Sequence, residues 1–213
     1  MFTFLTTRAG ARRLVQLPLG LFLYGFAIAM MVRAGIGVSP WDVLTQGISL
    51  HTGIPFGWVT NIVGALVLLL WIPIRQKPGV GTVLNVFLIG PSAQLGLSVL
   101  GDPSTLGGKV LLFAGGLALL AVATGLYIGA GFGPGPRDGL MTGIHNRWGT
   151  RIWVVRTSIE LVVLVIGWIL GGNVGIGTLA FALLIGPMVS VTLPRLRVPL
   201  PARTLKVQSS LRE

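Results

Sequence analysis

The chain has 213 residues, 53% of them apolar and only 10% charged, with no cysteine and a formal net charge of +11. A soluble domain carries about a quarter charged residues, so an ordinary water-soluble fold is excluded. The absence of cysteine removes disulfides, thiolate zinc sites and iron–sulfur clusters.

Apolar runs of roughly 18 or more residues read as membrane-spanning helices, and no alternating pattern suggests a β-barrel. The predicted spans, in chain order, are 14–33, 56–74, 80–99, 109–130, 152–170 and 176–193. Arg8, Arg12 and Arg13 precede the first, which is too long for a signal peptide and lacks a small-residue cleavage site. It is read as a retained helix. After GIGV, the stretch SPWD starts a short helix, with Ser39 at N-cap, Pro40 at N1 and Asp42 at N3. Trp41, Leu44 and Ile48 share one face of it, and Thr45, Gln46 and Ser49 lie elsewhere. It is too short to span, which predicts a re-entrant or interfacial helix. The third span holds LIGP at 88–91, beside Asn85 and Gln94. The sequence GFGPGPRD after the fourth starts another short helix at Gly135, Pro136, Arg137 and Asp138. The fifth span carries Arg156 and Glu160 at an i, i+4 spacing suited to an ion pair. Glu160 is nine positions in, near the bilayer centre. The sixth holds a second LIGP at 184–187.

Cytoplasmic loops concentrate Lys and Arg. With both ends inside, the inner segments hold Arg8, Arg12, Arg13, Arg75, Lys77, Arg137, Arg147, Arg151 and the basic tail, against Arg33 and Lys109 outside. The net charge is thus a topology signal for a multi-pass protein of the bacterial inner membrane. The tail PRLRVPLPARTLKVQSSLRE has no interleaved aromatics. No nucleic acid is expected as a partner; the basic termini are expected to lie on anionic lipid.

Shifted by 96 residues, the chain matches itself without gaps at Gly35/Gly131, Gly37/Gly133, Pro40/Pro136, Asp42/Asp138, Gly81/Gly177, Thr82/Thr178, Gly90/Gly186 and Pro91/Pro187. Each unit contains three spans, an odd number, so the second enters the membrane from the opposite side. Inverted repeats of this kind are common in secondary transporters, with the substrate near the midplane where the halves meet. The expected fold class is an all-α membrane protein of six spans, in two inverted three-helix repeats. The divisions fall at 1–13 (basic N-terminus), 14–108, 109–193 and 194–213 (basic tail).

Two readings of the paired aspartates stay open: helix caps worth about 1 kcal/mol each, or organisers of two gates on opposite faces. Proline inside a span removes a backbone bond, and matched interruptions in two halves point to a transport site. The hinge or break residues are therefore Gly90, Pro91, Gly186, Pro187, Gly35, Gly37, Gly131 and Gly133. Intramembrane ionisable residues are functional candidates by default. The expected substrate- or ion-binding set is Asp42, Asp138, Arg156, Glu160, Asn85, Trp41 and Arg137. His51 and His145 have no second ligand at metal spacing, and no catalytic constellation is assignable. No enzyme activity, metal or cofactor is expected. A homo-oligomer stays open.

The duplicated G-x-G-x-x-P-x-D, G-x-G-T and I-G-P motifs resemble the YczE-like bacterial membrane proteins, grouped with YyaS and YitT, over residues 15–192. Ser39 becoming Gly135 shows that the copies vary in capping chemistry. The resemblance implies a transporter or a membrane accessory protein. Some members are encoded beside regulators with an aminotransferase-like domain, which implies vitamin B6-like or amino-compound solutes. The function expected is alternating-access transport of a small polar or anionic solute; the alternatives are a non-transporting membrane partner and a passive channel.

Overall fold

Both Gly-x-Gly stretches turn the chain sharply, because each glycine takes a backbone conformation that a side chain disfavours: φ is 67° at Gly35 and 111° at Gly37, 69° at Gly131 and 117° at Gly133. The computed structural model describes residues 8–198. Among the described residues there are nine helices: α1 (Arg8–Ala34), α2 (Pro40–Thr52), α3 (Phe56–Leu69), α4 (Trp71–Ile74), α5 (Val80–Val99), α6 (Leu106–Gly129), α7 (Pro136–Trp148), α8 (Ile152–Ile169) and α9 (Ile176–Leu196). Six stretches are long and apolar enough to cross a membrane, with α3 and α4 forming one of them. They match the predicted spans to within a few residues, and the protein is a multi-pass membrane protein.

The helix starts follow from the sequence. Ser39 accepts the Asp42 backbone N–H, and Thr105 accepts that of Gly108 at 3.1 Å. Thr82 and Thr178 sit at N3 of α5 and α9 and accept the N–H of Gly79 and Gly175 at 3.1 and 3.3 Å. The C-termini of α2 and α7 close on left-handed glycines, Gly53 and Gly149.

Helices α1 and α6 form a central antiparallel pair, with α5 against α1 and α9 against α6. Their contact buries Leu21, Ile28, Met31, Leu117 and Leu120 in the larger apolar core. A second cluster joins α2, α3, α4, α7 and α8 around Trp41, Val63, Trp71 and Leu140. Gln16 donates from α1 to the carbonyls of Leu126 and Leu196, so the start of α1 and the ends of α6 and α9 share one end of the bundle. Arg33 pairs with Asp102 at 3.1 Å at the other end.

Three expectations need correction. Helix α5 runs unbroken through Gly90-Pro91 and α9 through Gly186-Pro187. Proline removes one N–H only, and neighbours handle its surroundings: Asn61 Oδ1 accepts the Gly90 N–H at 3.1 Å, and Ser190 Oγ donates to Pro187 O at 2.6 Å. Arg13 lies inside the first helix and not in the basic segment 1–13 before it; it is buried, and it donates to Ala130 O and Gly131 O at the end of α6, with Phe132 beneath it. There it opposes the negative helix end. Arg137 is an interior residue rather than a loop charge. Residues 1–7 and the tail beyond 198, with Arg203, Lys206 and Arg212, lie outside the described residues.

Candidate functional site

Extended backbone after Gly37 carries the chain to Ser39, and α2 begins with its positive end inside the molecule. Ser39 Oγ donates to Asp42 Oδ2 while accepting the Asp42 N–H at 3.3 Å. Asp42 is therefore a capping residue, but only half of its carboxylate is used. It is 1% exposed, and Oδ1 has no hydrogen-bond partner; the nearest cation is Arg137 Nη1 at 3.9 Å. Burial pushes its carboxyl up from the ordinary range, with Arg137 and then Ser39 pulling it down.

The second copy differs by one cap. Gly135 offers no hydroxyl, so Asp138 has no serine to hold it, and Tyr127 OH donates to Asp138 Oδ2 at 2.8 Å. Trp71 holds this turn from outside, donating Nε1–H to Pro136 O at 3.0 Å.

The two helix starts meet. The Arg137 guanidinium lies over the Trp41 ring at 5.0 Å, a cation–π pair between residues at equivalent positions of the two repeats. The Trp41 Nε1–H is buried without a partner. Arg156 Nε–H donates to Glu160 Oε1 at 2.9 Å, as the spacing required. Three cavities surround this centre, all lined by Tyr24 and Asp138. One of about 210 Å³ lies between α6, α8 and α9 and reaches Thr124, Tyr127, Arg156 and Gly186. One of about 50 Å³ is lined by Trp41, Arg137, Arg156 and Glu160. The third, about 30 Å³ and large enough for one water, takes in Asn85 and Arg137.

Six of the seven predicted binding residues thus line these cavities, and Asp42 stands behind them through Arg137. The aspartates do not stand at opposite faces. The glycines of each motif lie at opposite ends of the bundle, but the following turn brings both carboxylates inward to one centre. Sequence reasoning missed Tyr24 and Tyr127, whose rings meet edge to face at 5.8 Å. They are the chain's only tyrosines, and each sits within an apolar span.

Residue-for-residue equivalence extends across the halves. Gly81 N–H donates to Phe132 O at 2.9 Å, and its counterpart Gly177 N–H donates to Ile36 O at 2.8 Å. The seams beside the site are not equivalent. Helix α3 lies on α5, with Gly57 N–H donating to Gln94 Oε1 at 3.1 Å and the Gly90 N–H bond to Asn61 beside it. In the second half Trp153 and Thr157 replace Gly57 and Asn61, both exposed. There α8 is not packed on α9, and open space surrounds Gly186. The largest of the three cavities lies in that gap.

A family of unknown function, DUF6198, matches residues 11–194. An uncharacterized protein of Haemophilus influenzae is 38% identical over 169 residues, 79% of this chain and 78% of its own length. The uncharacterized membrane protein YczE of Bacillus subtilis is 32% identical over 197 residues, 90% of this chain and 92% of its own. The uncharacterized protein YyaS of the same organism is 29% identical over 180 residues, 83% and 90% of the two chains. No solved structure matches. The chain belongs to this YczE-like family.

Proposed function

We propose that this protein moves a small polar or anionic solute across the bacterial inner membrane by alternating access, with both termini in the cytoplasm. One observation carries the reading. Around a shared polar centre, two sequence-equivalent seams stand in different states: α3 on α5 shut, α8 and α9 parted over a cavity that reaches Arg156 and Asp138. A carrier caught open toward one side has this form, and the mobile candidate is α8, 17% buried against 50% for α1. The matched helix bounds and the reciprocal Gly81–Phe132 and Gly177–Ile36 bonds support an inverted repeat with a two-fold axis through the Trp41–Arg137 pair. In this arrangement α2 and α7 are re-entrant helices. Their positive ends, with Arg137 and Arg156, favour an anionic group, and Asp138 and Glu160 offer acceptors for a polar remainder. The site is a binding site without catalytic chemistry. The basic residues at the end holding Arg13, Arg75 and Arg147 support a cytoplasmic location for that end.

A second reading, a membrane partner that binds a solute without carrying it, is favoured by Trp153 in place of Gly57, since an indole cannot reproduce the glycine seam. Purified protein in liposomes decides between them. Candidate metabolites are first screened by thermal shift, where a solute at 100 times its dissociation constant adds about 2.7 kcal/mol. A hit is then followed as labelled uptake. The carrier reading expects saturable flux lost in Glu160→Gln. Binding without flux leaves the partner reading, and flux that does not saturate leaves the channel.

A further inference from the structure

A second, apolar recess lies on the other side of Trp41. Helices α3 and α8 are not packed on one another, and between them runs a groove of about 810 Å³ with Ser158 as its one hydroxyl-bearing lining residue. Its floor is the apolar face of α2, Trp41, Leu44 and Ile48, together with Leu140 and Ile144 of α7. Leu66 and Val162 on its rims are exposed. An apolar recess of this kind holds no ordered water, and in a bilayer the available filling is hydrocarbon.

The end of the groove is marked by Ile74, Ile144 and Trp148. Within three residues of these in sequence stand Arg75, Arg147 and Arg151, all exposed and, among the described residues, in no ion pair. Arg147 lies over the Trp148 ring at 5.8 Å. The four described acidic residues are elsewhere: Asp42, Asp138 and Glu160 at the centre, and Asp102 with Arg33 at the opposite end. Among the described residues, this end therefore carries cations without a counterion.

We propose that the groove between α3 and α8 holds one acyl chain of an anionic phospholipid from the surrounding bilayer, with its phosphate at Arg75, Arg147 and Arg151. Charge complementarity selects the headgroup and the groove selects the chain. Trp148 at the mouth fits the level where tryptophan sits between hydrocarbon and headgroups. A chain in the groove also backs the Trp41 ring on which Arg137 rests, so the lipid supports the central site from behind. The proposal stands whether or not that site carries a solute.

Native mass spectrometry of the delipidated full chain tests it, using phosphatidylglycerol and phosphatidylcholine with identical acyl chains. The expected result is one phosphatidylglycerol retained at a roughly tenfold or greater preference, since several basic side chains act on one anionic headgroup. Arg147→Gln with Arg151→Gln removes the preference. Arg195→Gln with Arg197→Gln, which lowers the net charge equally at the other basic segment, keeps it. Ile144→Trp fills the groove and reduces retention of both lipids. Equal retention of the two lipids by wild type overturns the proposal, as does a preference that survives the Arg147/Arg151 change or falls equally in the Arg195/Arg197 control. Should Ile144→Trp fail to fold, Val162→Trp at the rim replaces it, and full retention there overturns the groove assignment.

Discussion

Gly90→Ala and Gly186→Ala make the same change at equivalent positions and should have opposite consequences. A methyl at Gly90 meets Asn61 Cγ at 2.6 Å and the Gly57 carbonyl oxygen nearer still, well inside the 3.4 Å where ordinary contact begins. Asn61 can turn aside, but Gly57 O is backbone, so α3 and α5 must separate. Overpacking of this kind costs about 1–3 kcal/mol. Separation also strains the Gly90–Asn61 and Gly57–Gln94 bonds, each worth about 0.5–1.5 kcal/mol. A total near 2–4 kcal/mol is expected for Gly90→Ala. At Gly186 nothing lies within 4 Å of the new methyl, and alanine is the better helix former by up to about 1 kcal/mol. Gly186→Ala should therefore be neutral or slightly stabilising. Apparent melting temperatures in detergent, read from tryptophan fluorescence, give the comparison. Equal losses for both variants would sink the unequal-seam argument, because they would mean that α8 and α9 close on Gly186 as α3 and α5 close on Gly90.

Asp42→Asn should flatten the dependence of stability on pH. A carboxyl raised by burial binds its proton more tightly in the folded state, so wild type gains stability as the pH falls toward the ordinary carboxylate range and loses it as the pH rises through the raised value; melting between about pH 4 and pH 8 shows the slope. Gly37→Ala and Gly133→Ala should cost similar amounts, about 1–3 kcal/mol each, because both have strongly positive φ and an added methyl would meet the opposite half, Gly175 N at 2.7 Å from position 37 and Thr82 Oγ1 at 3.0 Å from position 133; a silent member of the pair counts against the reciprocal contact. Gly139→Ala should destabilise by about 1–3 kcal/mol, since its methyl enters the Trp71 ring, and a fluorescence change from Trp71 should accompany the loss. Glu160→Gln should still fold, because a glutamine amide oxygen can accept the Arg156 Nε–H that Glu160 Oε1 takes at 2.9 Å; a large loss of melting temperature assigns the carboxylate to structure instead of solute.

Residues that fix backbone geometry were readable from the sequence at once. Glycine with positive φ, proline at N1 and threonine at N3 act within one turn, and the bounds of α2 and α7 follow from them at the same 96-residue offset. The convergence of Asp42, Asp138 and Arg137 was readable only as symmetry, since the depth of each helix start depends on how far the extended residues after Gly37 and Gly133 reach. Gly-Pro misled because the local rule counts the lost hydrogen bond but not what surrounds it, and in α5 Asn61 takes up the Gly90 N–H. The unequal seams were encoded in Gly57/Trp153 and Asn61/Thr157, yet an unmatched pair on two spans has no meaning until one knows which helix it faces.

Under the proposed inverted repeat, with its two-fold axis through the Trp41–Arg137 pair, the identity of the residues that break the symmetry follows from where they stand. Positions far from an axis of two-fold symmetry meet a different partner, and identical residues serve both copies, as Thr82 and Thr178 do. A position on the axis meets its own duplicate. Two arginines there would repel, and two tryptophans would leave the buried Asp42 carboxylate without the cation now beside it. Trp41 on Arg137 resolves this, giving the guanidinium a π face and leaving its donors free toward the cavities. The same asymmetry places Glu160 opposite a repeat position occupied by Gly64, so one half supplies a carboxylate where the other supplies room. If the pair is what makes the centre usable, restoring symmetry should destroy it: Trp41→Arg should part the two helix starts and abolish solute binding, whereas Trp41→Phe keeps a ring beneath Arg137 and should retain most of it. Binding that survives Trp41→Arg would place the solute away from the axis, in the gap between α8 and α9 alone.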